Sequence, residues 1–186
     1  MNFVAIDVET ANQDNSSICQ IGLAIFKEGQ LVDTWESLID PETYFSYTNI
    51  GIHGITEDKV MGAPKFYQVY DELKRRMEDK FAVHHMPFDR VAINNVSTKY
   101  GLEHINTQWL DSAKIVRRTW TQFSKRGYGL KNISNHLGIR FMHHDALEDA
   151  IAAGKVAVEA CRIHGMTVPE INEFVASTRK TRAYKK

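Results

Sequence analysis

The segment Val4–Thr10 places two carboxylates inside an apolar run, and this combination constrains the chain more than any other feature. The run is rich in β-branched residues and predicts a buried strand near the N-terminus. Because positions i and i+2 of a strand share a face, Asp7 and Glu9 point in the same direction. Buried like charges need a positive partner, and Mg²⁺ or Mn²⁺ suits such oxygen ligands. The alternative is that both residues lie at an exposed strand end.

A third carboxylate follows a second short strand. Lys80–Val83 predicts that strand, and Pro87 then favours the start of a helix. Asp89 therefore falls in the first helical turn, where the helix dipole favours a negative charge. Capping of this helix is the alternative role for Asp89.

A fourth carboxylate belongs to the most strongly patterned helix. Apolar and small side chains at i, i+3 and i+4 spacing predict a helix from Ala146 to about Ile163, with Asp145 as its N-cap. Asp149 lies near the apolar side of this helix, where a carboxylate usually has a partner or a metal. His144 immediately precedes the helix and could reach the same point. The alternative for a histidine in a loop is a solvated surface position.

The order of these residues resembles the DEDDh 3′→5′ exonucleases, the family of the proofreading epsilon subunit of DNA polymerase III. The matching elements are Asp7-x-Glu9 on a strand, then Asp89, then His144 followed five residues later by Asp149. The resemblance runs from about residue 2 to about residue 165. It also includes the segments Ile52-His53-Gly54-Ile55-Thr56, Trp109-Leu110-Asp111-Ser112, Tyr128-Gly129-Leu130-Lys131 and Leu137-Gly138-Ile139.

Two departures from the family pattern touch the expected substrate groove. Ala11-Asn12 follows Thr10, where the family often has Thr-Gly. His85 stands where the family's Ala-His-Asn-Ala segment has Asn. The metal and base positions are all present, so these differences bear on substrate preference.

The resemblance implies a fold, a site and an activity. The fold is a ribonuclease H-like α/β/α sandwich with a mixed five-stranded sheet; the residue pattern by itself supports a mixed-sheet α/β domain. Asp7, Glu9, Asp89 and Asp149 would hold two divalent metal ions, Mg²⁺ or Mn²⁺, and His144 would act as the general base. The residues expected to contact the terminal nucleotide are Thr10, His53, Ile55 and Phe88. For His53 a turn hydrogen bond, and for Phe88 core packing, are the alternatives.

The implied reaction is hydrolysis of single-stranded DNA from its 3′ end, with release of nucleoside 5′-monophosphates. Proofreading during DNA replication or DNA repair would use it, with a DNA polymerase as a candidate partner. An RNA-trimming exonuclease of the oligoribonuclease or ribonuclease T type is the alternative. A non-catalytic nucleic-acid-binding module and an endonuclease on the same fold are less favoured. His84, His85, His136 and His143 are assigned structural or surface roles.

The length of 186 residues fits one α/β domain, expected over residues 1–176. No apolar run approaches the roughly 20 residues of a membrane span, and no signal segment is expected before the first strand. Cys19 and Cys161 are expected to be reduced and buried, as in a cytoplasmic protein.

The formal net charge of zero conceals an asymmetry. Residues 177–186 carry five basic and no acidic residues, which leaves 18 basic and 23 acidic residues in the rest of the chain. We expect this segment to be a flexible basic tail, either solvated or in contact with phosphates. A second basic stretch, Arg117 to Lys131, is interleaved with aromatic residues and suits either a single-strand groove or an amphipathic helix and loop.

The patterns also predict the order of the elements. Strands are expected at about 2–8, 18–27, 30–38, 80–84 and 107–111, with a tight turn at Glu28-Gly29-Gln30 that makes the second and third antiparallel. A long connection is expected over 40–55. Helices are expected at about 56–60, 64–78, 87–100, 112–120, 130–137 and 146–163, with a short one from Pro169.

Overall fold

A computed structural model describes residues 1–177 of the chain. The predicted basic tail therefore lies, apart from Ser177, outside the described residues.

The sheet has five strands in the order β3-β2-β1-β4-β5. The strands are β1 Phe3–Thr10, β2 Ile18–Lys27, β3 Gln30–Leu38, β4 Phe81–His84 and β5 Gln108–Asp111. β1 pairs antiparallel with β2, and β2 with β3, whereas β1, β4 and β5 are parallel. Glu28 and Gly29 both have positive φ in the turn between β2 and β3. The predicted strands and the antiparallel pairing are confirmed.

Eight α-helices accompany the sheet in the described part of the chain. They are α1 Tyr47–His53, α2 Glu57–Val60, α3 Phe66–Met77, α4 Phe88–Lys99, α5 Ser112–Thr119, α6 Leu130–Leu137, α7 Ala146–His164 and α8 Val168–Ala176. A single 3₁₀ turn spans Thr121–Phe123. The long connection predicted over 40–55 contains a helix, α1, that the sequence patterns did not predict. None of the residues of α1 is buried, so the segment has no apolar periodicity to reveal it.

The helices form two layers around the sheet. On β1, Phe3 and Ala5 join the apolar cluster that contains α5, α6, α7 and α8. Val4, Ile6 and Val8 point the other way, into the cluster formed with α3 and α4. This strict alternation confirms the α/β/α sandwich, and it aims Asp7 and Glu9 at the layer that holds α7.

Two expectations from composition also concern the described residues. Cys19 and Cys161 are buried and free, as predicted. No helix within residues 1–177 is both long and apolar enough to cross a membrane.

Candidate active site

The carboxyl end of β1 brings two carboxylates to one face of the sheet. Asp7 and Glu9 are both partly exposed, whereas the flanking Ile6 and Val8 are buried. The register of β1 against β2 shifts between Glu9 and Thr10, at the end of the strand. The two acidic side chains therefore lie side by side at the rim of the sheet, as the period-2 pattern predicts.

Helix α7 approaches this rim because β2 has a glycine there. Gly22 pairs with Asp7, and a Cβ atom on Gly22 would lie 2.3 Å from the backbone carbon of Ala146. The Asp145 side chain caps the helix by accepting the N–H of Glu148 at 3.1 Å. The N–H of Ala146 donates to Oε1 of Gln20 on β2 at 3.3 Å. These contacts fix the first turn of α7 directly over the sheet.

Asp149 on that first turn completes the cluster. One carboxylate oxygen from each of Asp7, Glu9 and Asp149 lies within 4.8 Å of the others. Asp149 is only 3% exposed. Within residues 1–177, no lysine or arginine forms a salt bridge with any of these three carboxylates or with Asp89. A metal cation would supply the missing positive charge, and carboxylate oxygens suit a hard divalent ion.

Asp89 lies beside this cluster rather than at a solvated helix end. It is 2% exposed, and its Oδ1 accepts the N–H of Val8 on β1 at 3.1 Å. This bond ties the start of α4 to the strand that carries Asp7 and Glu9. Helix capping alone does not account for such a contact across 81 residues of sequence.

The pKa values of the four carboxylates are raised because these groups are buried close together without a lysine or arginine partner in the part of the chain that the structure describes. Burial, followed by repulsion from Asp89 and Asp149, raises the pKa of Asp7 well above its usual range. Burial and repulsion from Asp149 raise the pKa of Glu9 to about 7. Burial also raises the pKa values of Asp89 and Asp149. Proton binding thus relieves the same repulsion that a bound cation would relieve.

Two histidines flank Asp149, although the sequence pointed to only one. The backbone N–H of His144 donates to Oδ2 of Asp149 at 2.7 Å, and the His144 residue has a positive φ of 71°. The ring of His143 stacks on that of His144 with centroids 3.8 Å apart. His143 was assigned a structural or surface role, yet its Nδ1 lies 2.8 Å from Oδ1 of Asp149.

The predicted substrate contacts have different environments. Thr10 and Ile55 are buried, and Ile55 packs with Ala11, Cys19 and Val60. The ring of His53 lies between two backbone groups: Nε2 is 3.1 Å from the carbonyl of Thr10, and Nδ1 accepts the N–H of Ile55 at 3.0 Å. Phe88 is 40% exposed at the start of α4, so core packing does not account for it.

Helix α1 supports the rim of the site through Asn49. Its Nδ2 donates to the Thr10 carbonyl at 2.8 Å, so Asn49 and His53 both contact that carbonyl. Sequence reasoning missed Asn49, although Ser46 before the helix and Gly54 after it carry capping signals. The Ser46 hydroxyl accepts the N–H of Asn49, and Gly54 has left-handed φ.

Two other histidines that were assigned structural or surface roles, His84 and His85, contact groups of the protein itself. His85 places Nδ1 2.8 Å from the hydroxyl of Ser112 and Nε2 3.0 Å from the carbonyl of Tyr128. His84 is buried and contacts the carbonyl of Met86. His85, which departs from the family pattern, thus joins α5 to the segment before α6.

A family model described as Exonuclease matches residues 4–157, which include all four carboxylates and His144. The chain belongs to this exonuclease family. The resemblance inferred from the motifs is confirmed at this level, and the fold is ribonuclease H-like.

Relatives of the exonuclease include much longer polymerases. The PolC-type DNA polymerase III of Bacillus cereus is 29% identical over 161 residues, which are 84% of this chain and 11% of the relative. That of Oceanobacillus iheyensis is 30% identical over 156 residues, covering 82% of this chain and 11% of the relative. The chain thus spans about a tenth of the length of these relatives.

Solved structures share the fold at lower identity. Exonuclease X in complex with 5′ overhanging duplex DNA has a TM-score of 0.75 and 20% identity, and covers 93% of this chain and 99% of its own. A second structure shows the 3′-end specific recognition of a histone mRNA stem-loop by a 3′-exonuclease. Its TM-score is 0.67 at 20% identity, and the match covers 85% of this chain and 62% of that exonuclease.

Proposed function

We propose that this exonuclease is a metal-dependent DEDDh enzyme that hydrolyses single-stranded DNA from the 3′ end and releases nucleoside 5′-monophosphates. The observation that carries the proposal is the convergence of Asp7, Glu9 and Asp149 within 4.8 Å, with no lysine or arginine partner among the described residues. We assign the activity to residues 1–176 and treat 177–186 as a basic tail.

The donor set fits two divalent cations held by Asp7, Glu9, Asp89 and Asp149. Four carboxylates without a cation repel one another, and their oxygens are the ligands that Mg²⁺ and Mn²⁺ prefer. Bound there, such ions would lower the pKa of the attacking water and stabilise the leaving 3′ oxygen. Because Asp89 and Asp149 are buried and hydrogen-bonded, their side chains need little reordering to bind a cation.

His144 is the proposed general base. Its pKa is lowered by burial and by the charge of His143, so its imidazole is neutral near pH 7 and can accept a proton from water. The bond from its backbone N–H to Asp149 keeps this residue at the edge of the carboxylate cluster. The imidazole side chain therefore remains available for proton transfer.

Recognition of the terminal nucleotide is assigned to Thr10, His53, Ile55 and Phe88. The exposed ring of Phe88 suits stacking on a base without reading its identity. The buried Thr10 and Ile55 would form the base of such a pocket. His53 would fix the backbone beside it through its contact with the Thr10 carbonyl.

DNA is the favoured polymer because the curated relatives are DNA polymerases III of the PolC type. The same names make a DNA polymerase a candidate partner. RNA trimming is the second candidate function, favoured by the structural similarity to a 3′-exonuclease associated with histone mRNA.

The deciding experiment is digestion of 5′-labelled single-stranded DNA and RNA of one sequence, with Mg²⁺, Mn²⁺ or EDTA. We expect a metal-dependent ladder that shortens from the 3′ end, faster on DNA, and absent in Asp7→Asn. A circular single strand should stay intact, since an exonuclease needs an end. If neither polymer is shortened with either metal, the proposal fails; a faster RNA ladder would select the RNA-trimming function.

A further inference from the structure

A basic groove follows the carboxyl ends of β4 and β5 next to the candidate active site. One part has a volume of about 310 Å³, and its basic lining residues are Arg90 and Lys114. The other part, of about 610 Å³, is lined by Lys114, Arg117 and Lys125. Both parts share Lys114 and two residues of α8, Val175 and Ala176, so they form one continuous groove. We call it the α5–α8 groove.

The charges that face this groove are mostly available to a ligand. Arg90, Lys114 and Lys125 are exposed, and none of them forms a salt bridge within residues 1–177. The guanidinium of Arg117 lies over the ring of Tyr128, at 4.9 Å from its centroid.

Three charged lining residues are already engaged. Arg117 donates through Nε to the carbonyl of Ser124 at 3.1 Å. Arg118 donates to the carbonyl of Phe174 at 2.6 Å and so fastens α8 beside α5. Among the described residues that line the groove, Asp111 is the one with an acidic side chain. Its carboxylate accepts the N–H groups of Met86 at 3.1 Å and Ala113 at 2.9 Å. The groove therefore presents an excess of positive charge, which is complementary to a polyanion.

The position of the groove connects it to the carboxylate cluster. Arg90 directly follows Asp89 on α4, and β4 separates β5 from β1 in the sheet. The groove begins at His84, the last residue of β4, and β4 pairs directly with β1. Because neighbouring strands are about 4.8 Å apart, this end of the groove lies about one strand spacing to the side of the strand that carries Asp7. The parallel strands β1, β4 and β5 end at the same edge, where α/β proteins bind their ligands.

We infer that the α5–α8 groove binds the sugar-phosphate backbone of the substrate strand upstream of its 3′-terminal nucleotide. The inference rests on the proposed function, because it takes the carboxylate cluster as the place of the 3′ end. Lysines and arginines on a solvated groove contact phosphates without reading sequence. Continuity with the cluster favours a nucleic-acid strand over an acidic protein segment, which is the other polyanion that fits the charge.

The test measures binding of a 5′-labelled single-stranded 12-mer to the full chain by fluorescence anisotropy in EDTA, so that no hydrolysis occurs. The groove variant is Lys114→Glu with Lys125→Glu. The matched control is Lys27→Glu with Lys155→Glu, which reverses two exposed lysines elsewhere on the molecule. Both variants change the net charge equally and keep residues 178–186, so effects of overall charge cancel.

We expect the groove variant to bind the 12-mer at least tenfold more weakly than the control. The slope of log affinity against log salt should fall by about 1.4, since each lost phosphate contact on a single strand contributes about 0.7. Lys114→Gln with Lys125→Gln should give an intermediate loss. Circular dichroism and thermal unfolding should show the same folded state in all variants.

Equal affinity of the groove and control variants for the 12-mer would overturn the inference. So would a groove variant that loses binding to poly-glutamate and keeps binding to the 12-mer, because that result selects an acidic protein partner. These outcomes are separate from failure of the proposed function, which digestion by the unmodified chain measures. A groove-dependent affinity in EDTA with no metal-dependent digestion would reject the nuclease and leave the binding surface.

Discussion

The imidazole of His143 contacts the carboxylate of Asp149, with Nδ1 2.8 Å from Oδ1. The other oxygen of Asp149 accepts the backbone N–H of His144 at 2.7 Å. Both oxygens thus have partners that fix the plane of the carboxylate beside Asp7 and Glu9. Removal of a group that orients a metal ligand in this way commonly costs about 10–100-fold in metal affinity or activity.

We predict that His143→Ala raises the Mg²⁺ concentration for half-maximal activity by about tenfold, whereas kcat at saturating Mg²⁺ changes less. The reason is that Asp149 loses an N–H donor that lowers its pKa, so protons compete better with the cation. His143→Gln can still donate and should restore part of the affinity. The measurement is a Mg²⁺ titration of the rate. His136→Ala, at an exposed position on α6, serves as the control. An unchanged half-saturation point would contradict this role.

His144→Ala should reduce kcat by about 10²–10⁴-fold, the usual contribution of a positioned general base. His144→Ala should largely retain metal binding, as measured by calorimetric titration with Mn²⁺. In the unmodified enzyme, at saturating metal, the rate should fall on the acid side with a midpoint below pH 6.5, because the pKa of His144 is lowered. That limb should disappear in His144→Ala. Equal rates for the two proteins would refute the assignment.

The metal-free protein should lose stability as the pH rises from about 4.5 to about 7. Glu9 has a pKa of about 7 when folded and an ordinary value of 4.5, so the folded state binds the proton more tightly. The stabilisation is complete below pH 4.5 and is lost through pH 7. The stabilisation amounts to about 3 kcal/mol, from 1.36 kcal/mol per pKa unit over the difference between 4.5 and about 7.

Urea unfolding in EDTA at pH 5 and pH 8 measures this loss. Glu9→Gln should reduce the difference between the two pH values, and excess Mg²⁺ should stabilise the unmodified protein at pH 8. Glu36→Gln, on β3, is the control at an exposed strand position. If Glu9→Gln leaves the pH dependence unchanged, the repulsion lies elsewhere.

The convergence of Asp7, Glu9 and Asp149 could be predicted because local periodicity determines which way each side chain points. The period of two aims Asp7 and Glu9 at one face, and the small-residue stripe of α7 brings Asp149 onto that face. Their roles as metal ligands stay predictions until metal binding is measured.

The contacts that sequence could not predict are long-range or depend on loop conformation. Asn49 and His53 reach the carbonyl of Thr10 across 39 and 43 residues, on a helix without a buried face. His143 reaches Asp149 through a loop in which His144 has positive φ. Neither arrangement leaves a periodic signal, so family resemblance pointed to His53 and His144 and passed over Asn49 and His143.

The close approach of α7 to β2 makes Gly22 the most sensitive position for the site geometry. A Cβ atom there would lie 2.3 Å from backbone atoms of Ala146 and Leu147, which cannot move without shifting the first turn of α7. We predict that Gly22→Ala lowers the free energy of unfolding by about 1–3 kcal/mol or more, the usual cost of overpacking.

Gly51→Ala is the matched control for this substitution. Gly51 lies within α1, and a Cβ atom there would meet nothing within 4 Å. Alanine should stabilise that helix by up to about 1 kcal/mol, because glycine is the poorer helix former. Thermal unfolding in Mg²⁺ and in EDTA separates the two effects. Gly22→Ala should also lose part of the stabilisation by Mg²⁺, since a displaced first turn moves Asp149 away from Asp7 and Glu9. If Gly22→Ala unfolds at the same temperature as the unmodified protein and keeps its response to Mg²⁺, then α7 has room to move, and its contact with Gly22 does not set the spacing of the carboxylates.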